Sequence, residues 1–278
     1  MSSVMCTLCP YGCMLSDGQV GICRARRNVS GKIKADSYGK ITSLALDPIE
    51  KKPLARFMPG SLVLSVGSFG CNLRCPFCQN ASIAQAGIDD VSWREVTPEQ
   101  LVNEALNLKS RGNVGIAYTY NEPLVNFEFV QDCAKLAHKN GLVNILVTNG
   151  MANANSIEQL LDDIDAVNVD LKGFTQDFYS FVGGRLNAVK RSIELFVDCP
   201  TCHVEVTTLV IPGRNDSKEE IQAIASWLAS LDSEIPYHLS RFFPCYRLKH
   251  VPATPVRTVH ALAEAAREHL RYVYTGNC

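Results

Sequence analysis

Apolar residues gather in short runs at LVLSVGS (62–68), VGIAYTY (114–120), VNILVTN (143–149), DAVNVDLK (165–172), HVEVTTLVI (203–211) and YHLSRFF (237–243). Each run is rich in β-branched or aromatic residues and is bounded by turn formers, which predicts a strand. Amphipathic segments with helix-start signals lie between several of them. TPEQLVNEALNLKSRG opens on Thr97 as N-cap, has Pro98 in the first turn and Gln100 three residues after the cap, and closes at Gly112. SIEQLLDDI opens on Ser156 and SKEEIQAIASWLASL on Ser217, each with Gln or Glu three residues on. NFEFVQDCAKLAHKNG also has helical spacing, with Cys133 reading as core. A last helix is predicted from Thr254-Pro255 to about Leu270, followed by a short strand, YVYTG. Strands alternating with helices imply a parallel sheet with right-handed crossovers. Six runs and a short seventh fall below a full eight-unit barrel of roughly 250 residues. The expected fold is therefore α/β, a partial (β/α)6-type TIM-like barrel over residues 59–278. Residues 1–58 differ in texture. They show short alternations such as KITSLALDPI, no helical period, and Cys6, Cys9, Cys13 and Cys23. They are expected to form a small cysteine-rich, metal-binding module.

The chain has twelve cysteines, and their setting decides what they are for. The N-terminal MSSVMCTLCPYGC has neither the basic start nor the apolar stretch of a signal peptide. No apolar run approaches a membrane span. A cytoplasmic location is expected, where thiols stay reduced, so metal or cluster ligation is a better default than disulfides. The 27 basic and 28 acidic side chains give a net charge of −1, which offers no argument for nucleic acid or an anionic membrane as partner.

Chemistry in parallel α/β folds gathers at the C-terminal ends of strands. The segment SFGCNLRCPFCQN (68–80) follows the first run and places Cys71, Cys75 and Cys78 in eight residues. Four thiolates would suggest structural zinc. Three in one loop suggest an iron–sulfur cluster with one iron left free of protein. That iron can take a cofactor with its own amino and carboxylate groups, as S-adenosylmethionine has. Further polar residues fall at later strand ends: Asn121 and Glu122 in YTYNEP, Asn149 in TNG, and Asp170 and Lys172 in DLKGF, two apart and so on one face. Isolated buried charges are expensive, so the last two read as mutually paired or ligand-facing. Glu122 reads either as a ligand for an ammonium or as a cap of the next helix. The sixth run carries His238 and Arg241.

Cys-x3-Cys-x2-Cys with Phe77 before the last cysteine resembles the signature of the radical S-adenosylmethionine (radical SAM) enzymes. Together with Glu122-Pro123, the Asp-x-Lys pair and the late histidine, it resembles the activating enzymes of pyruvate formate-lyase. Closest is the resemblance to the AmmeMemoRadiSam system radical SAM family, through the four-cysteine N-terminus, DPIEKKP (47–53), GCNLRCPFCQN, TYNEP, DLKGF and VEVTTLVIPG. The resemblance implies a [4Fe–4S] cluster on Cys71, Cys75 and Cys78. It implies a cofactor region at Phe77, Asn121, Glu122, Asn149, Asp170, Lys172 and His238, with Asp170, Lys172, His238 and Arg241 as catalytic candidates. It also implies reductive cleavage of S-adenosylmethionine to a 5′-deoxyadenosyl radical that abstracts hydrogen, and a flavodoxin or ferredoxin as electron donor. The radical's target is a glycyl-radical partner protein, or else a small molecule or peptide in company with Memo and AMMECR1 homologues.

Cys6, Cys9, Cys13 and Cys23 form a second constellation, suited to zinc or to an auxiliary iron–sulfur cluster. Cys199 and Cys202 either form another site with Cys245 or Cys278 or are small buried and loop residues. A reading from a different class is a non-catalytic scaffold with zinc at both cysteine groups.

Overall fold

The computed structural model describes residues 3–278. Its centre is one eight-stranded sheet: β1 (Ser43–Pro48), β2 (Leu62–Gly67), β3 (Asn113–Tyr118), β4 (Val143–Thr148), β5 (Ala166–Asp170), β6 (His203–Val210), β7 (Tyr237–Arg241) and β8 (Val273–Gly276). The strands lie side by side in chain order. β2 to β8 run parallel, and β1 pairs antiparallel with β2. The two edges do not pair, yet Pro48 on one and Tyr274 on the other line the same cavity. The sheet thus curls into a partial barrel open along one side. The six predicted runs and the terminal YVYTG are its seven parallel strands. The alternation in KITSLALDPI is the eighth, so the sheet draws in residues 43–48, upstream of the boundary expected at 58.

Helices pack on the outside through apolar stripes. Pro98–Asn107 has the predicted capping box at Thr97 and Gln100, and the chain then closes at Gly112 with φ +92°. Lys218–Leu231 starts as expected, with Ser217 Oγ accepting from Glu220 N. The helix expected to open on Ser156 instead spans Ala154–Glu158. Its start is set by tertiary bonds: Asn153 N and Ser156 Oγ both donate to the Leu8 carbonyl of the cysteine-rich segment. The helix Leu186–Val197 has no capping side chain, and its sequence gives no start signal.

Two features position the site. The first is the N-terminal segment, built on small hairpins (Val4–Met5 with Met14–Leu15, Arg26–Val29 with Lys32–Ala35) and set against the C-terminal ends of the strands. The second is a strap, residues 49–57, that crosses the opposite end of the lumen. Ala55 N and Arg56 N donate to Glu205 of β6, Asn168 of β5 donates to the Pro53 carbonyl, and the Arg56 guanidinium lies 3.7 Å over the Tyr272 ring just before β8. No helix of the described residues is long and apolar enough to cross a membrane.

Candidate cluster and cofactor site

A cavity of about 770 Å³ fills the lumen. Cys71, Cys75 and Cys78 line it, from the loop that follows β2. Phe77 is 3% exposed and packs on Phe178 and Phe181, which fixes the loop's far end. Asn121 holds the near end. Its Nδ2 donates to the carbonyls of Phe69 and Gly70, and its Oδ1 accepts from Ser68 N. Asn121 therefore acts on the cysteine loop as well as bordering the cavity.

Lys172 and Asp170, at and beyond the end of β5, pair at 2.8 Å and face the cavity with the thiols. Burial works against the Lys172 ammonium, but Asp170 outweighs it and raises its pKa. Asn149, after β4, points Nδ2 at Cys71 Sγ at 3.6 Å and donates it to Asn72 Oδ1 at 2.9 Å. Glu122 lines the cavity but is largely occupied by the protein. It accepts from Leu124 N at 3.0 Å, Thr148 Oγ1 at 2.7 Å and Asn149 N at 2.8 Å, so it caps the following turn and ties β3 to β4. Burial raises its pKa to about 7 against those three donors. An ammonium beside it would recover part of that cost.

His238 lines the cavity at the strap end, stacked on Tyr274, with Nε2 2.5 Å from Glu205 Oε2. Arg241 does not belong to the site. Its Nε donates to the Thr254 carbonyl and its guanidinium covers Phe243, outside the cavity lining. The reason is strand geometry: positions 238 and 241 are an odd number apart and face opposite sides of β7. The other cysteines also separate. Cys199 and Cys202 precede β6, at the strap end, whereas Cys245 Sγ donates to the Phe77 carbonyl at the cluster loop, and Cys278 is exposed. They do not form a common site.

Several residues in and behind the cavity wall were not expected. Tyr120 stands at φ +72°, a conformation costing roughly 1–2 kcal/mol for a non-glycine residue. Its hydroxyl donates to Asp47 at 2.7 Å, and Lys52 lies 5.0 Å over its ring while pairing with Asp47 at 2.9 Å. Burial opposes the Asp47 carboxylate, but Lys52 and Tyr120 hold its pKa well below the usual range. Glu205 is fully buried and unites His203, His238 and the strap. The Thr207 hydroxyl is buried on the cavity wall with no partner among the described residues. An acidic residue inside the apolar run HVEVTTLVI is the signal that marks Glu205.

The thiol loop can be tested for fit to a cluster. Burial raises the pKa of Cys71 well above the ordinary thiol value and that of Cys75 to about 12, so without a cation these groups are neutral. Metal ligation reverses that cost by stabilising the thiolates. A four-iron cluster takes one thiolate per iron and spreads its ligands over a cube. Three soft donors on one cavity wall fit that group better than a lone zinc.

Comparison with known proteins agrees with this chemistry. The chain is 40% identical to the uncharacterised protein MJ0808 of Methanocaldococcus jannaschii, over 99% of this chain and 82% of that one. It is 28% identical to the pyruvate formate-lyase-activating enzyme of Clostridium pasteurianum, over 61% of this chain and 72% of the enzyme. A radical SAM methyltransferase from Sphaerobacter thermophilus shares the fold, with a TM-score of 0.60 at 17% identity over 79% of this chain and 67% of that one. Residues 65–228, which carry the three-cysteine loop, the Asp170–Lys172 pair and strands β3 to β6, match the family model of the radical SAM superfamily, and the chain belongs to that superfamily.

Proposed function

We propose that this protein reductively cleaves S-adenosylmethionine at a cluster held by Cys71, Cys75 and Cys78, and that the substrate enters through the open side of the barrel between β1 and β8. The carrying observation is the convergence of these three thiols with Asn149, Asp170 and Lys172 on one cavity. Superfamily membership implies a [4Fe–4S] cluster and S-adenosylmethionine. When bound, these supply a 5′-deoxyadenosyl radical that takes a hydrogen atom from the substrate.

The chain's own residues bind, orient and exclude water. Asn149 supplies an N–H toward Cys71 and tunes the thiolate. The Asp170–Lys172 pair presents a hydrogen-bonding dipole to the cofactor's polar groups without an uncompensated buried charge. Glu122 fixes the ends of β3 and β4 and keeps an acceptor position for the cofactor's amino group. The strap crosses the far end of the lumen and would screen the bound cofactor from water on that side. This arrangement also supports an enzyme over a zinc scaffold, since a scaffold has no use for charged pairs around an enclosed cavity.

Two targets for the radical have support. The relatives that activate pyruvate formate-lyase favour a glycyl-radical partner protein. The strap and the buried Thr207 hydroxyl, without a partner among the described residues, favour a small polar molecule; Memo- or AMMECR1-type proteins are the proposed partners of that reading through the sequence resemblance alone. A flavodoxin or ferredoxin is the proposed electron donor. The test of the shared reading is electron paramagnetic resonance of the dithionite-reduced protein with and without S-adenosylmethionine. The reading expects the cofactor to change the cluster's signal in the wild type and the C71A/C75A/C78A variant to lack that signal. A reduced cluster indifferent to the cofactor contradicts it. A glycyl doublet on a co-incubated partner protein would then select the first target, and transfer of deuterium from a small molecule into 5′-deoxyadenosine the second.

A further inference from the structure

The loop that carries Cys71, Cys75 and Cys78 has a neighbour that stays out of the cavity. Residues 242–255, between β7 and the helix Val256–Arg267, pack on it. Arg247 N donates to the Pro76 carbonyl at 2.9 Å and Cys245 Sγ to the Phe77 carbonyl at 3.2 Å, and neither residue lines the cavity. Phe77 is joined to Cys78, so two hydrogen bonds tie this segment to the backbone beside a cluster ligand. The charge of the segment is one-sided. The whole chain is balanced, with 27 basic and 28 acidic residues, yet no acidic residue occurs between Glu234 and Glu264, a stretch that holds Arg241, Arg247, Lys249 and Arg257. None of these four pairs with a carboxylate among the described residues. Arg247, Lys249 and Arg257 are exposed, as is Arg74 within the cysteine loop itself. Apolar surface lies among the charges: Phe243 is 42% exposed and Val256 37%. The Arg241 and Arg247 guanidiniums lie over the rings of Phe243 and Tyr246, at 4.6 and 5.1 Å.

We propose that residues 243–257, seated on the cysteine loop, form the docking face for an acidic one-electron carrier protein that reduces the cluster. The proposal rests on the reading of Cys71, Cys75 and Cys78 as cluster ligands. Exposed apolar side chains rimmed by charge of one sign mark a protein contact surface. The sign selects an acidic partner and steers its approach. The position selects a redox partner among acidic proteins, because the segment is bonded to Pro76 and Phe77, next to Cys78. Residues 243–257 do not line the cavity, so a carrier bound there leaves the cavity free for cofactor and substrate. The step is a transfer of one electron. The carrier is oxidised by one electron, the cluster is reduced by one, and no proton or covalent bond changes place.

The test reads binding and electron transfer separately. Calorimetry measures the affinity of an acidic flavodoxin and of an acidic ferredoxin for the reconstituted protein and for C71A/C75A/C78A, at low and high salt. The proposal expects one carrier to bind both, more weakly as salt rises. Arg247→Glu with Lys249→Glu should lower its affinity about tenfold or more, whereas Arg247→Lys with Lys249→Arg keeps both charges and should bind like the wild type. In stopped flow at sub-saturating carrier, the charge-reversed variant's cluster should be reduced about tenfold more slowly by the carrier, yet within about twofold of the wild-type rate by dithionite. Unchanged affinity and carrier-driven rate in the charge-reversed variant overturn the proposal, and so does binding by neither carrier. Loss of dithionite reduction in both double variants overturns it as well, since the segment then only supports the loop. A wild type without a dithionite-reducible cluster counts against the reading of the three cysteines, while calorimetry on C71A/C75A/C78A still decides the docking face.

Discussion

Glu205 pins the strap, and its replacement by glutamine has a calculable effect. Each carboxylate oxygen serves two donors: Oε1 accepts from Arg56 N and His203, and Oε2 from Ala55 N and His238. Glutamine turns one oxygen into an amide N–H2 that faces two donors. The imidazole on that oxygen can change tautomer and accept, but the strap amide cannot, so one buried hydrogen bond to a charged group is lost and its N–H is left unsatisfied, a cost of about 2–3 kcal/mol. The titration of the carboxylate expresses the same four contacts as a pKa. Burial raises the pKa of Glu205, but His203, His238 and the two strap amides outweigh it, taking it from the usual 4.5 to about 2. For this fully buried group that shift is worth roughly 3 kcal/mol. A depressed carboxylate stabilises the fold above its unfolded pKa, and the benefit fades as pH falls from about 4.5 toward 2. Glu205→Gln should therefore melt roughly 4–10 °C below wild type at pH 7. The gap should hold down to about pH 5 and narrow below the unfolded value. The assay is thermal unfolding by circular dichroism on samples matched for iron content. A variant that melts within about 1 °C of wild type at pH 7, or a gap that does not change with pH, would refute the pin.

Further outcomes follow from individual contacts. Gly70→Ala puts a side chain 2.6 Å from the Cys23 carbonyl at φ +87°, so the variant should take up markedly less iron than wild type in anaerobic reconstitution, and normal uptake would show that the two loops are not packed as described. Asn149→Ala removes the N–H directed at Cys71 Sγ and should lower the cluster's midpoint potential in an electron paramagnetic resonance titration; an unchanged potential would make that contact incidental. Arg241→Gln should leave S-adenosylmethionine affinity within about twofold in calorimetry, because its partners are Thr254 and Phe243 outside the cavity, and a large loss would return it to the site.

Much of the site was legible because the chemistry repeats with the strands. The three-cysteine loop follows β2, and Glu122, Asn149 and Lys172 lie just past the ends of β3, β4 and β5. Alternation placed Asp170 and Lys172 on one face, and the same rule, applied to 238 and 241, separates His238 from Arg241. Other features needed tertiary structure. The helix at Leu186–Val197 starts without a capping side chain, and the Ser156 hydroxyl that resembles a cap bonds instead to Leu8. The two readings left open for Glu122 differ only in which donors reach its oxygens, which the fold decides in favour of Leu124, Thr148 and Asn149. The motif DPIEKKP was visible, but not that its Asp47 and Lys52 meet Tyr120 over strand β2, from a residue 73 positions away in sequence.

The most direct test of the central claim is anaerobic turnover. Protein reconstituted with iron and sulfide is mixed with S-adenosylmethionine and dithionite, and 5′-deoxyadenosine and methionine are quantified by chromatography. The account predicts both products in equal amounts from the wild type and neither from C71A/C75A/C78A. A wild type with an intact, reducible cluster that forms no 5′-deoxyadenosine, or a triple variant that forms it as well, would contradict the account.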